Sequence, residues 1–156
     1  MTDDDASRVE RIADLAVDLE LTVATAESLT SGTVAKTLGA GPNAADWFVG
    51  GVVAYQEPVK FDVLGVREGP VVTAECAEQM ATGVRKLLGA DVVVSATGVG
   101  GPDPSEGKPA GTVFVAVVRG DEAAVEELAL DGDPDEVLSG TVSRCLELLE
   151  QTLGTD

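Results

Sequence analysis

The chain is predicted to form a layered α/β/α fold, a single domain built on a mostly parallel mixed sheet with an antiparallel hairpin at its edge. Three observations predict it. Short β-branched runs alternate with stretches of helical periodicity. Aromatic residues make up only 3% of the chain, so Val, Ala and Leu must fill the core, as suits a sheet covered by helices on both faces. At 156 residues, 44% of them hydrophobic, the chain is long enough to bury one proper core.

The elements follow in order. Val9, Ile12, Ala13, Ala16 and Leu19 recur at helical spacing and predict a helix from Ser7 to Glu20, with residues 1–6 as an acidic tail. Leu21 to Ala26 reads as a short buried strand. Thr30 to Leu38 has helical character and stops at Gly39 and the Gly41-Pro42 breaker. Phe48 to Tyr55 reads as a strand whose two glycines imply a bulge or close backbone approach. Pro58 suits the start of a short helix that ends at Gly65.

A further helix is expected from Thr73 to Leu88, with Cys76, Ala77, Met80, Val84 and Leu87 on its inner face. Asp91 to Thr97 is a strongly apolar strand. The segment from Gly98 to Pro109 holds four glycines and three prolines, too many for regular structure. Thr112–Val118 and Ala124–Leu130 read as paired strands around Arg119-Gly120-Asp121. A last helix runs from about Asp133 to Leu153, with Val137, Thr141, Cys145 and Leu148 inward.

The 28 acidic and 10 basic residues give a formal charge of −18. That balance argues against nucleic acid as a partner, because phosphate backbones require clustered Lys and Arg. It disfavours an anionic membrane surface for the same reason, and salt would relieve the self-repulsion. The opening Met1-Thr2-Asp3-Asp4-Asp5 is unlike a basic signal-peptide start, and no apolar run is long enough to span a membrane, so a cytoplasmic location is expected. Cys76 and Cys145 are too few and too far apart for a disulfide framework or a zinc site.

The most informative local feature is the strand-to-helix junction Thr25-Ala26-Glu27-Ser28-Leu29-Thr30-Ser31-Gly32. It places a serine where unpaired backbone N–H groups can face an anion or a developing oxyanion. The chain contains no histidine, so a nucleophilic Ser28 must give its proton to a lysine, a carboxylate or a metal-bound hydroxide. In an open α/β sheet ligands bind beyond the carboxyl ends of the strands, which here deliver Ser28, Tyr55 and Thr97. Taken singly, Ser28 reads first as a helix cap, Lys60 as a solvated helix residue, and Gly98-Val99-Gly100-Gly101-Pro102 as a plain turn.

Four motifs, in order and spacing, resemble one family. Ala26-Glu27-Ser28-Leu29-Thr30-Ser31-Gly32 is similar to its AESCTGG, and Gly51 to Lys60 to its GGVVAYSNEAK. Ala96 to Pro102 resembles VTGIAGP, and Lys108 to Val113 resembles KPVGTV. This is the CinA C-terminal domain family, whose stand-alone members include nicotinamide mononucleotide deamidases. The resemblance implies hydrolysis of that nucleotide to nicotinate mononucleotide and ammonia by a serine–lysine pair, with no metal and no cofactor.

On that resemblance Ser28 is the nucleophile, Lys60 its base, and Tyr55 orients the pair or stacks on the pyridine ring. Glu27, Thr30, Ser31 and Gly32 are expected at the substrate, with the oxyanion held by N–H groups from Thr30 to Gly32. Thr97, Gly98, Gly100 and Gly101 would receive the phosphate, with Lys108 as cationic partner. Lys60 must be neutral, and lowering a lysine by about three units from its free pKa takes roughly 4 kcal/mol. Burial among Val52, Val53 and Val59 is the expected source. Self-association is also expected of the family.

The chain departs from the family pattern at Leu29 and Ser31, and at Glu57, where the family has Asn and where an ionised carboxylate would raise the Lys60 pKa. It also departs at Pro134 and Leu138, where a family GDRxxVR segment has arginines. Three readings therefore stand at this point: an active nicotinamide mononucleotide amidohydrolase, a catalytically inactive nucleotide- or partner-binding module on the same fold, and an amidase for a different small amide.

Overall fold

The computed structural model describes residues 2–155. Along the chain it forms α1 (Asp3–Leu19), β1 (Val23–Glu27), α2 (Thr33–Gly39), α3 (Ala44–Trp47), β2 (Phe48–Val53) and α4 (Glu57–Asp62). These are followed by α5 (Ala74–Leu88), β3 (Val92–Gly98), β4 (Thr112–Arg119), β5 (Glu122–Ala129) and α6 (Pro134–Leu153). The five strands make one sheet in the order β2-β1-β3-β4-β5. β1 pairs in parallel with β2 and β3, while β4 and β5 close the other edge as an antiparallel hairpin.

Strand alternation assigns the two faces. Val23, Val92, Val94, Ala96, Val113, Val115 and Val117 face α1, α2, α3 and α6, meeting Ile12, Leu38, Trp47, Leu146 and Leu149. The intervening Ala24, Ala26 and Val93 face the other way, onto α5 residues Cys76, Met80, Ala81 and Val84. Small alanines on this second face of β1 let the α4–α5 side approach closely. Inward Val137, Thr141, Cys145 and Leu148 are buried as expected, whereas Leu87 is exposed and lies off the inner face of α5.

The acidic start is not a tail. Thr2 caps α1, its hydroxyl accepting from the Asp5 N–H at 3.0 Å while Asp5 reaches back to the Thr2 N–H, a capping box. Asp5 is buried and also accepts from Ser143 Oγ at 3.0 Å, tying α1 to α6. Asp3 and Asp4 sit in the first turn, where the helix dipole favours negative charge.

The glycines of β2 act as their position suggests. Gly51 pairs with Thr25, and a Cβ there would lie 1.9 Å from Thr25 Oγ1. Pairing is irregular one step earlier, between Val23 and Ala24. Among the described residues no helix is long and apolar enough to cross a membrane.

Candidate functional site

β1 runs one residue past its formal end, with the Ser28 N–H bonded to Ala96 O at 3.1 Å. Ser28 thus keeps the phase of Ala24 and Ala26 and faces α4 and α5, whereas Glu27 keeps the phase of Val23 and Thr25 and faces α2. This single alternation separates their roles. The Glu27 carboxylate, only 1% exposed, accepts from Val34 N at 2.9 Å and Ala35 N at 3.0 Å. It thereby caps α2, whose own N-cap residue, Gly32, has no side chain to do so. The expectation of Glu27 at the substrate is corrected: it is spent on the helix start and does not line the cavity.

Lys60 enters from α4. Its chain is 2% exposed. Nζ donates to Ala54 O at 2.7 Å and Tyr55 O at 3.0 Å, and lies 2.9 Å from Ser28 Oγ. A neutral amine has two N–H donors and one lone pair, and this site offers two carbonyls and one hydroxyl. Burial lowers the Lys60 pKa from its ordinary value, while Cys76, Glu57 and Glu106 pull the other way. Burial also pushes the Cys76 thiol up to about 11, keeping it protonated behind the pair. Val52 and Val59 pack in the adjoining core, but Val53 points to solvent and contributes nothing to burying Lys60.

The pair opens into a cavity of about 650 Å³. Ser28, Tyr55, Lys60, Thr97, Gly98, Gly100 and Gly101 all line it, as the sequence reading groups them. Tyr55 is 64% exposed; its backbone carbonyl, not its phenol, touches Lys60. Thr97 Oγ1 donates to Val71 O at 2.9 Å.

Thr30, Ser31, Gly32 and Lys108 are outside the lining. Thr30 is fully buried, and its hydroxyl has no partner among the described residues. Ser31 adopts φ 50°, a left-handed conformation that favours glycine, and its N–H is taken by Ser28 O. That removes Ser31 from the expected oxyanion donors. Lys108 turns its Nζ to Val72 O and lies 5.1 Å over the Phe114 ring, away from the lining.

Val71, Val72 and Asp135 of the wall carry no signal in the sequence, whereas Pro134 and Leu138 stand where the family segment has arginines. Val71 and Val72 line the cavity, their N–H groups held by the Glu106 carboxylate from the β3–β4 loop at 2.9 Å. Asp135 and Leu138 line it from α6, together with Pro134. These contacts join positions far apart along the chain, which local periodicity does not reveal.

The sequence profile of the CinA C-terminal domain matches residues 5–153. A competence-damage inducible protein of Geobacillus kaustophilus is 44% identical over 137 residues, covering 83% of this chain and 33% of the relative. A protein of the same name from Desulforamulus reducens is 36% identical over 156 residues, covering 97% of this chain and 38% of its own. The chain thus spans little more than a third of the length of these relatives. Among solved structures, a CinA superfamily protein from Klebsiella pneumoniae superposes with TM-score 0.91 at 30% identity, covering 96% of this chain and 97% of its own. The competence/damage inducible protein CihA from Agrobacterium tumefaciens gives 0.92 at 30% identity, covering 99% and 98%. By sequence profile, by relatives and by fold, this chain belongs to the CinA C-terminal domain family.

Proposed function

We propose that the protein is an amidohydrolase that converts nicotinamide mononucleotide to nicotinate mononucleotide and ammonia through Ser28 and Lys60. The observation that carries this reading is the buried 2.9 Å approach of Lys60 Nζ to Ser28 Oγ, with two carbonyls taking the remaining N–H groups. Neutral Lys60 takes the hydroxyl proton as Ser28 Oγ attacks the carboxamide carbon. The negative charge on the carboxamide oxygen falls to backbone N–H groups of the junction after β1. The Lys60 ammonium then protonates the departing nitrogen, which leaves as ammonia. Water, giving its proton to Lys60, cleaves the acyl ester and restores Ser28.

The test is ammonia release from nicotinamide mononucleotide at low and high salt, beside Ser28→Ala and Lys60→Ala. Release by the parent and its loss in both variants is expected. A folded parent that releases none at either salt overturns the reading. The second reading, a binding module without catalysis, draws support from Glu57, which opposes deprotonation of Lys60.

A further inference from the structure

Three charged side chains line the cavity: Lys60, Glu57 and Asp135. Lys60 is the buried base, with its N–H groups committed to Ala54 O and Tyr55 O, so it offers an incoming anion nothing. The other lysine of the neighbourhood, Lys108, is engaged by Val72 O and the Phe114 ring. Among the described residues no arginine stands in the wall.

The end of α6, which borders the cavity, is already supplied with negative charge. Asp133 Oδ1 accepts from Glu136 N at 2.9 Å, and Glu136 Oε1 accepts from Asp133 N at 3.2 Å. Asp131 and Asp135 add two further acidic residues beside this capping box. Among the described residues the lining thus offers a phosphate no cationic side chain beyond the committed Lys60, and the α6 N-terminus beside it already carries a carboxylate cap. What remains of the polar wall is neutral: Gln56, Thr97, Ser105 and the glycines 98, 100 and 101. The exposed Tyr55 ring and the Glu57 and Asp135 carboxylates instead make a wall suited to a cation.

We propose that this site prefers a carboxamide carried on a cationic pyridinium ring without a phosphate. The preference rests on the amidohydrolase reading for its catalytic consequence, but it concerns the Tyr55 ring and the Glu57 and Asp135 carboxylates rather than the Ser28–Lys60 pair. A pyridinium nucleoside bears one net positive charge, whereas its 5′-phosphate carries a net negative charge at neutral pH. In a chain of charge −18 the field of the whole molecule acts in the same direction.

The test compares nicotinamide riboside with nicotinamide mononucleotide, two probes that differ by one phosphate. Ammonia release gives kcat/KM for each at low and physiological salt, and calorimetry on Ser28→Ala gives their affinities without turnover. The riboside is expected to exceed the mononucleotide at least tenfold at low salt, with the gap narrowing as salt screens the carboxylates. Asp135→Arg combined with Leu138→Arg is expected to reverse the order. Equal or better use of the mononucleotide by the parent overturns the proposal. If neither probe is hydrolysed, tenfold tighter binding of the riboside to Ser28→Ala retains the preference while the amidohydrolase reading falls. Equal or tighter binding of the mononucleotide, or binding of neither probe, overturns the preference too.

Discussion

The wall that carries Ser28 and Lys60 is buried and hydrogen-bonded within itself, whereas the start of α6, which also lines the cavity, is exposed and acidic. The first is built where β1, β2 and α4 meet, and each polar atom of Lys60 and Glu27 has a defined protein partner. The second presents Pro134, Asp135 and Leu138 to the cavity from a helix end whose Glu136 N–H is capped by the Asp133 carboxylate. Proton transfer demands a desolvated lysine, which only a well-packed region can hold. Selection among substrates demands only surface charge and shape. The difference teaches that the buried pair and the acidic helix end are built by separate elements, with Glu57 of α4 bearing on both the Lys60 charge and the cavity lining.

The largest effect should come from the base itself. Lys60→Ala is expected to lower kcat about 10²–10⁴-fold, the range for a general base, measured by ammonia release with nicotinamide mononucleotide. Retained activity would place the base elsewhere and dissolve the contrast between the walls.

Glu27→Ala comes next. It strips charged hydrogen bonds from the Val34 and Ala35 N–H groups in a buried place, at a cost of about 1.5–3 kcal/mol each for bonds to charged groups. Thermal unfolding should show a fall in Tm of several degrees. An unchanged Tm would mean that α2 needs no such cap.

Glu106→Ala releases the Val71 and Val72 N–H groups and loosens a side wall of the cavity. A rise in KM with kcat nearly preserved is expected from steady-state kinetics. The opposite split would tie that loop to the chemical step.

The smallest effect concerns pH. Because burial lowers the Lys60 pKa, activity should rise with pH and level off below the free-lysine value. Glu57 raises that pKa, so Glu57→Gln should move the rising limb to lower pH. The same shift has a consequence for stability. Between the lowered Lys60 pKa and 10.5 the unfolded chain binds more protons, so this group's contribution rises with pH over that interval. Cys76 acts oppositely, its contribution being lost as pH climbs from 9 towards about 11.

Much of the fold was legible because periodicity is local: every strand and the longer helices lie near where alternation and helical spacing put them. The helix at Ala44–Trp47 is four residues long, too short for any period to register. Asp3–Asp5 reads as a solvated run, although Thr2 and Asp5 stand at capping-box spacing. At the site, Ser28, Lys60 and Thr97 were legible from junction position and from the resemblance. Glu27 was misplaced, yet strand alternation alone separates it from Ser28. Lys108 and Asp135 were not legible, since whether a charge faces a cavity depends on partners far along the chain.

The most direct test of the central claim is the Lys60 pKa, read by ¹⁵N NMR of the lysine side chains with Lys60→Arg to assign the signal. The account predicts a Lys60 pKa well below that of the exposed lysines, rising no further when Ser28 is replaced by alanine. A value equal to or above theirs would contradict a lysine base, and with it the assignment of Ser28 as its nucleophile.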